Sequence, residues 1–131
     1  MEAYIEKDSL MVGELVDFIK EMNIDKNNKV LHDAPWSNSI NSFKILNDIR
    51  VFDVCSNSHK DFKEAIVFTD DSNATDLNKS LLVSDFLKYA KQVDRDSLII
   101  YHDNENNLYV SVFSAYREEN THNLALQALD Y

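Results

Sequence analysis

Two dipeptides in this chain carry residue types that could do chemistry. His32-Asp33 and His102-Asp103 stand 70 residues apart, and each ends a short apolar run, Val30-Leu31 and Ile100-Tyr101. A His-Asp pair belongs to the ligand set of metal-dependent phosphohydrolases, where imidazole and carboxylate hold an ion that activates water. Such a centre needs further His and Asp ligands converging from other elements. Only His59 and His122 remain as other imidazoles. Strand ends that enter turns favour polar residues anyway, so a structural role is the expected one. Cys55 and His59 could pair as nucleophile and base. They lie four residues apart in a strand-to-loop segment, with no glycine-rich turn to supply an oxyanion donor. Cys55 therefore reads as a buried or half-buried structural residue. The acid groups Asp70/Asp71/Asp76, Asp94/Asp96 and Asp103/Glu105 could hold a hard cation. None has the central Gly and alternating ligands of a calcium loop, so they read as solvated turns. With a single Gly, Gly13, no phosphate-binding loop, dinucleotide fingerprint or nucleophile elbow can be built. No catalytic residue, cofactor or metal is expected.

The elements that must position these residues occur twice. Ser9-Leu10-Met11-Val12-Gly13-Glu14-Leu15-Val16-Asp17-Phe18-Ile19-Lys20 returns 71 residues later as Ser80-Leu81-Leu82-Val83-Ser84-Asp85-Phe86-Leu87-Lys88-Tyr89-Ala90-Lys91. The His-Asp pairs are offset by 70, which implies a one-residue indel. A repeat of this kind predicts two similar helix-plus-hairpin halves, 9–69 and 80–131, joined by an acidic linker 70–79 within one compact domain spanning 1–131. Apolar spacing predicts a helix over Leu10–Met22, capped by Ser9, with Val12, Leu15, Phe18, Ile19 and Met22 inward. A second helix is predicted over Leu82–Val93, with Val83, Phe86, Leu87, Ala90 and Val93 inward. Strands are predicted over Lys29–His32, Ile49–Val54, Glu64–Thr69 and Ser97–His102. Phe43–Leu46 is an earlier strand set off by an Asn47-Asp48 turn. Leu108–Tyr116 returns from a turn at Asp103–Asn107, and Glu118–Leu129 is a C-terminal helix. The fold class is α+β, a mixed or antiparallel sheet with helices packed on one face.

The charge is lopsided: 23 acids against 13 bases give −10 at neutral pH. Such a surface repels nucleic acid and anionic membranes and attracts basic proteins. One cysteine cannot make an intramolecular disulfide. The charged opening Met1 to Lys7 does not resemble a signal peptide, and no apolar run approaches the ~20 residues of a membrane span. A cytoplasmic location is expected. One Gly and one Pro leave Asn, Asp and Ser to supply the turns. That composition suits an AT-rich genome such as a phage.

The unit from Val12 to Val30 resembles small, mostly uncharacterised phage and prophage proteins. These open with a short Val-x-Glu-Leu-Ile helix, then a Leu-Pro-x-Asp turn and a β-hairpin. Val12, Glu14, Leu15, Val16, Ile19, Met22, Asp25 and Val30 match. Val83, Asp85, Phe86, Leu87, Val93, Asp96 and Ile99 match again, and the turn proline is missing from both copies. The resemblance implies a phage or prophage origin and carries over no catalytic residue.

The expected function is that of a non-enzymatic acidic inhibitor, a nucleic-acid mimic of the anti-CRISPR or anti-restriction type. Its partner would be a basic host nuclease or DNA-binding protein, reached without direct contact to nucleic acid or membrane. Carboxylates on a scaffold imitate phosphate spacing and give fast, salt-sensitive association. Tight binding also needs a desolvated apolar anchor. The expected acidic face is Asp70, Asp71, Asp76, Asp94, Asp96, Asp103 and Glu105. Trp36, beside Pro35 in a loop, either plugs the core or anchors the partner. Tyr101, Tyr109 and Tyr116 are expected as half-buried sheet residues able to serve an interface. The alternatives are an immunity protein against a basic toxin and a phage structural or assembly protein that self-associates, for example as a homodimer.

Overall fold

Both helices start in the same way. In the computed structural model, which describes residues 2–6, 8–33, 43–56, 61–71 and 76–128, α1 spans Val12–Glu21 and α2 spans Val83–Ala90. Each is preceded by an extended residue whose N–H donates to a carboxylate three positions on. Met11 donates to Glu14 Oε1 (3.0 Å) and Leu82 to Asp85 Oδ2 (2.9 Å). One orphan amide per helix is thereby satisfied. Ser9 is not the cap; its hydroxyl donates to the Glu6 carbonyl (2.7 Å). Val12, Leu15 and Ile19 are buried while Met22, expected inward, is exposed. No helix among the described residues is long and apolar enough to cross a membrane.

The helices dock reciprocally. The N–H groups of Val12 and Gly13 donate to the carbonyls of Ser97 and Arg95, in the loop after α2 (2.8 Å each). Those of Val83 and Ser84 donate to Asn28 and Lys26, in the loop after α1 (2.8 and 2.9 Å). At Gly13 an added Cβ would lie 2.8 Å from Arg95 Cβ. A helical Gly→Ala change ordinarily gains stability. Here the close approach reverses the sign, and Gly13→Ala is expected to cost about 1–2 kcal/mol, read as a lower midpoint in thermal unfolding.

The strands are β1 (Glu2–Ala3), β2 (Val30–Asp33), β3 (Phe43–Ser56), β4 (Phe62–Asp70), β5 (Leu98–Asp103), β6 (Leu108–Ser111), β7 (Ser114–Arg117) and β8 (Leu124–Gln127). They form one mixed sheet in the order β6-β5-β4-β3-β2-β8-β7. The β4–β5 and β2–β8 pairs are parallel; the other neighbours are antiparallel. β1 pairs with the end of β3, and Tyr4 bridges to Val110 of β6. It ties the two margins of the β6-β5-β4-β3 portion together over a small apolar core containing Ala3, Val54, Ala65, Val67, Leu98 and Ile100. The opposite face packs on both helices through the main core, with Leu15, Ile66, Phe68, Phe86, Ile99 and Leu126 at its centre. The fold class is α+β with the sheet dominant.

The sheet does not divide at residues 70–79. Asp70 ends β4, and Leu77–Lys79 form a single 3-10 turn. The strands of the two sequence segments interleave instead. β3 is shared, through Phe43–Ile45 with β2 and through Leu46–Cys55 with β4. The portions β6-β5-β4-β3 and β3-β2-β8-β7 then show the same succession of antiparallel, parallel and antiparallel pairs. Single bonds correspond as well. Leu81 N–H donates to Leu46 O (2.8 Å) and Leu10 N–H to Val112 O (2.7 Å); Val30 N–H donates to Leu81 O (2.8 Å) and Ile99 N–H to Leu10 O (3.3 Å). Each portion draws strands from both segments.

Three expected elements differ. Phe43–Leu46 and Ile49–Val54 are one strand, and the expected Asn47-Asp48 turn is a register shift between Leu46 and Asp48. Leu108–Tyr116 is two strands that change partner around Val112 and Phe113. The C-terminal helix is replaced by a turn and β8. His122 adopts a left-handed φ of 64°, which a helix does not tolerate. Leu124, Ala125 and Leu126 are all buried, because a strand covered on both faces reads as a continuous apolar run rather than an alternating one.

Candidate partner-binding surface

The two His-Asp pairs do not occupy equivalent places. In the bonding pattern His32 corresponds to Tyr101, since β2 pairs with β8 as β5 pairs with β4. A one-residue shift along a strand turns a side chain to the other face. His32 is fully buried on the helix side and donates from Nε2 to the Ala128 carbonyl (2.9 Å). Its ring stacks on Tyr101 at 3.9 Å. Tyr101 donates to Asp70 Oδ2 (2.9 Å), and Asp70 also accepts the Asn104 N–H (2.8 Å), with Lys44 Nζ at 3.7 Å. His102 faces the other side. It is held by Thr69 Oγ1 at Nδ1 (3.1 Å) and Asn107 Oδ1 at Nε2 (2.9 Å), and stacks on Tyr109 at 4.1 Å. No group of three or more His, Cys, Asp or Glu among the described residues is placed to hold a metal ion. Cys55 is buried, and His59 lies outside the described residues.

The Tyr116 hydroxyl donates to Asp33 Oδ2 (2.6 Å). Burial and the Asp33 carboxylate push the phenol well above its ordinary 10.0. A raised phenol contributes stability that is complete below the ordinary value and is lost as pH rises beyond it. Tyr116 is therefore expected to ionise later than an ordinary phenol in an ultraviolet titration, and Tyr116→Phe to remove that late contribution. Glu118 sits below the ordinary carboxyl range because the Thr121 hydroxyl and N–H donate to it.

The expected acidic face is not one face. Asp70 and Asp103 are 1% and 2% exposed. Both are turned inward, and this corrects their reading as partner contacts. Asp70 ties the end of β4 to Tyr101 and to the backbone after β5. Asp103 accepts the N–H groups of Glu105 (3.1 Å) and Asn106 (3.3 Å), closing the turn into β6. Buried carboxylates need such donors. Asp71 is half-buried and accepts from Asn47 Nδ2 (3.1 Å); Asp76 is exposed and caps the 3-10 turn through the Asn78 N–H (3.0 Å). Glu105 is exposed beside Asp103. Asp94 and Asp96 are exposed too, but they precede β5 whereas Glu105 follows it. The length of that strand, roughly 17 Å, separates them. Trp36 lies outside the described residues.

Carboxylates and half-buried apolar side chains meet on α1. Glu14, Asp17 and Glu21 recur at helical spacing along its exposed side. They border a groove of about 320 Å³ floored by Leu10, Leu15, Phe18, Phe113 and Ala115. Arg95 crosses to Asp17 (2.6 Å) and to the Gly13 carbonyl (3.3 Å), so its neighbours Asp94 and Asp96 flank the first turn of α1. At the other end Arg117 donates to the Met22 carbonyl (3.3 Å). One wall is β7, the last strand of the sheet. The spacing of the acidic row is a signal that the sequence carries, although the expected acidic face did not include Glu14, Asp17 or Glu21. The groove was not, because Phe113 and Ala115 reach α1 only through the change of partner between β6 and β7. Compared with protein-family models, with curated proteins and with solved structures, the chain matches none of them.

Proposed function

We propose that the protein is a non-enzymatic acidic binding protein that occupies the nucleic-acid site of a basic partner in the cytoplasm. The observation that carries this reading is the coincidence on α1 of an acidic row with an apolar groove. Long-range attraction needs the first and a desolvated contact the second. The net charge of −10 supports it. So does the β3–β4 hairpin, where Asp53 and Glu64 stand directly opposite each other and both exposed. Like charges in that arrangement destabilise a sheet, a cost that a partner's cations would relieve. A host nuclease or DNA-binding protein fits as partner, and a phage-encoded inhibitor is the corresponding biological setting.

The test is capture from host lysate on the immobilised protein, with washes at low and high salt. A single basic nucleic-acid-binding protein is expected to stay at low salt and to leave with high salt or with competing DNA. Recovery of the protein alone at both salts overturns the reading in favour of self-assembly.

A further inference from the structure

We propose that the groove between α1 and β7 takes an extended basic segment of the partner, added as a strand beside β7 with its apolar side chains on Phe18 and Phe113. The proposal rests on the acidic-inhibitor reading and names where that partner is gripped.

The fold supplies its own comparison for this groove. Ile49 of β3 lies opposite Phe68, as Ala115 of β7 lies opposite Leu126. Phe68 and Leu126 are themselves equivalent, being the parallel partners of Tyr101 and His32. Ile49 and Ala115 thus hold the same place, one beneath α2 and the other beneath α1. Ile49 is buried, and Val51 extends the apolar cover toward the far end of β3. On the α1 side the same two places are Ala115, which is half-buried, and Arg117, which is exposed. The smaller, more polar pair leaves the space open between Phe18 and Phe113. Among the described residues no strand pairs with the outer edge of β7. An open strand edge beside an apolar groove is the geometry of β-strand addition, in which main-chain bonds give affinity and alternate side chains enter pockets.

Charge decides the occupant. Glu14, Asp17 and Glu21 line the rim, Asp94 and Asp96 stand nearby, and Arg95 and Arg117 are the cations at the two ends. A second copy of this chain would bring another acidic rim against this one, and that juxtaposition is repulsive. A segment alternating apolar and basic residues satisfies both the floor and the rim.

The test measures fluorescence anisotropy of a labelled peptide of about six residues alternating Val and Lys, with a Val/Glu peptide as control. The Val/Lys peptide is expected to bind the intact protein in a salt-dependent way and the control not to bind. Ala115→Ile copies the residue already accommodated at position 49, so it fills the groove in a folded protein. It is expected to weaken binding by about tenfold. Glu21→Lys places a cation in the last turn of α1, where the helix tolerates it, and is expected to weaken binding several-fold without filling anything. If the Val/Lys peptide binds with the expected salt dependence but neither substitution matters, the groove is overturned while the acidic-inhibitor reading stands. If the Val/Glu peptide binds equally well, the choice of a basic occupant is overturned. If the Val/Lys peptide does not bind at any salt, strand addition in this groove is overturned, while the acidic-inhibitor reading is decided by the lysate capture alone.

Discussion

Asp70→Ala lowers stability by about 3–4 kcal/mol in urea unfolding, the largest loss expected from any single carboxylate of this protein. The substitution strands the Tyr101 hydroxyl and the Asn104 N–H, which both donate to Asp70, and removes the anion facing Lys44. A buried donor left unsatisfied, such as the Tyr101 hydroxyl, costs about 1–3 kcal/mol, and the part-buried Asn104 N–H and the half-buried Lys44 lose their partner as well. For a chain of this length the loss corresponds to a midpoint lower by on the order of 10 °C. Tyr101→Phe removes one donor and leaves Asp70 its other partners, so about 1–2 kcal/mol is expected. The double variant should fall short of the sum, because both changes break the same bond. The exposed acids behave in the opposite way. Asp94→Asn and Asp96→Asn are expected within about 0.5 kcal/mol of the parent, while slowing association with a basic partner. An Asp70→Ala protein that unfolds like the parent would show that this carboxylate does not hold the β4 and β5 ends together.

Cutting the chain between the segments removes more than any side chain does. Fragments 1–71 and 76–131, prepared separately, are each expected to lack a cooperative transition, and to regain sheet circular dichroism and a cooperative melt on mixing. The pairs β4–β5 and β2–β8 both cross the cut. Each helix also starts on amide bonds to the loop supplied by the other fragment. Alone, 1–71 keeps the β2-β3-β4 meander and α1, but neither parallel partner strand nor α2. Its main core loses Phe86, Ile99, Tyr101 and Leu126. A chain of that size is marginal even with a complete core, and this fragment lacks much of its own. Cooperative unfolding by either fragment alone would mean that the interleaved pairing is not what stabilises it.

The helices were legible because their signal is local. Val12, Leu15 and Ile19, and again Val83 and Phe86, fall on one face at helical spacing; the caps were not legible, since Ser9 was the expected one and the carboxylates of Glu14 and Asp85 take that part. Strands β4 and β5 were legible from β-branched runs that must be buried on both sides. β8 was misread for the same property: Leu124-Ala125-Leu126 is a buried run too short to show whether its period is 2 or 3.6. The acidic face was misplaced because charge in a sequence carries no sign of direction. Asp70 and Asp103 look like Asp94 and Asp96 until the donors around them are known.

Composition and periodicity by themselves determined the negative charge, the absence of glycine-dependent motifs, two amphipathic helices, and an α+β class with enough apolar residues for a core. These are properties of residue types and near neighbours. The tertiary structure alone decided that the two segments interleave, that His32 corresponds to Tyr101 rather than to His102, that Asp70 and Asp103 point inward, and that Ala115 stands beneath α1 where Ile49 stands beneath α2. Each of these depends on the register of strands far apart in the chain. A single-residue change of register moves a side chain from solvent to core, and no local pattern fixes it.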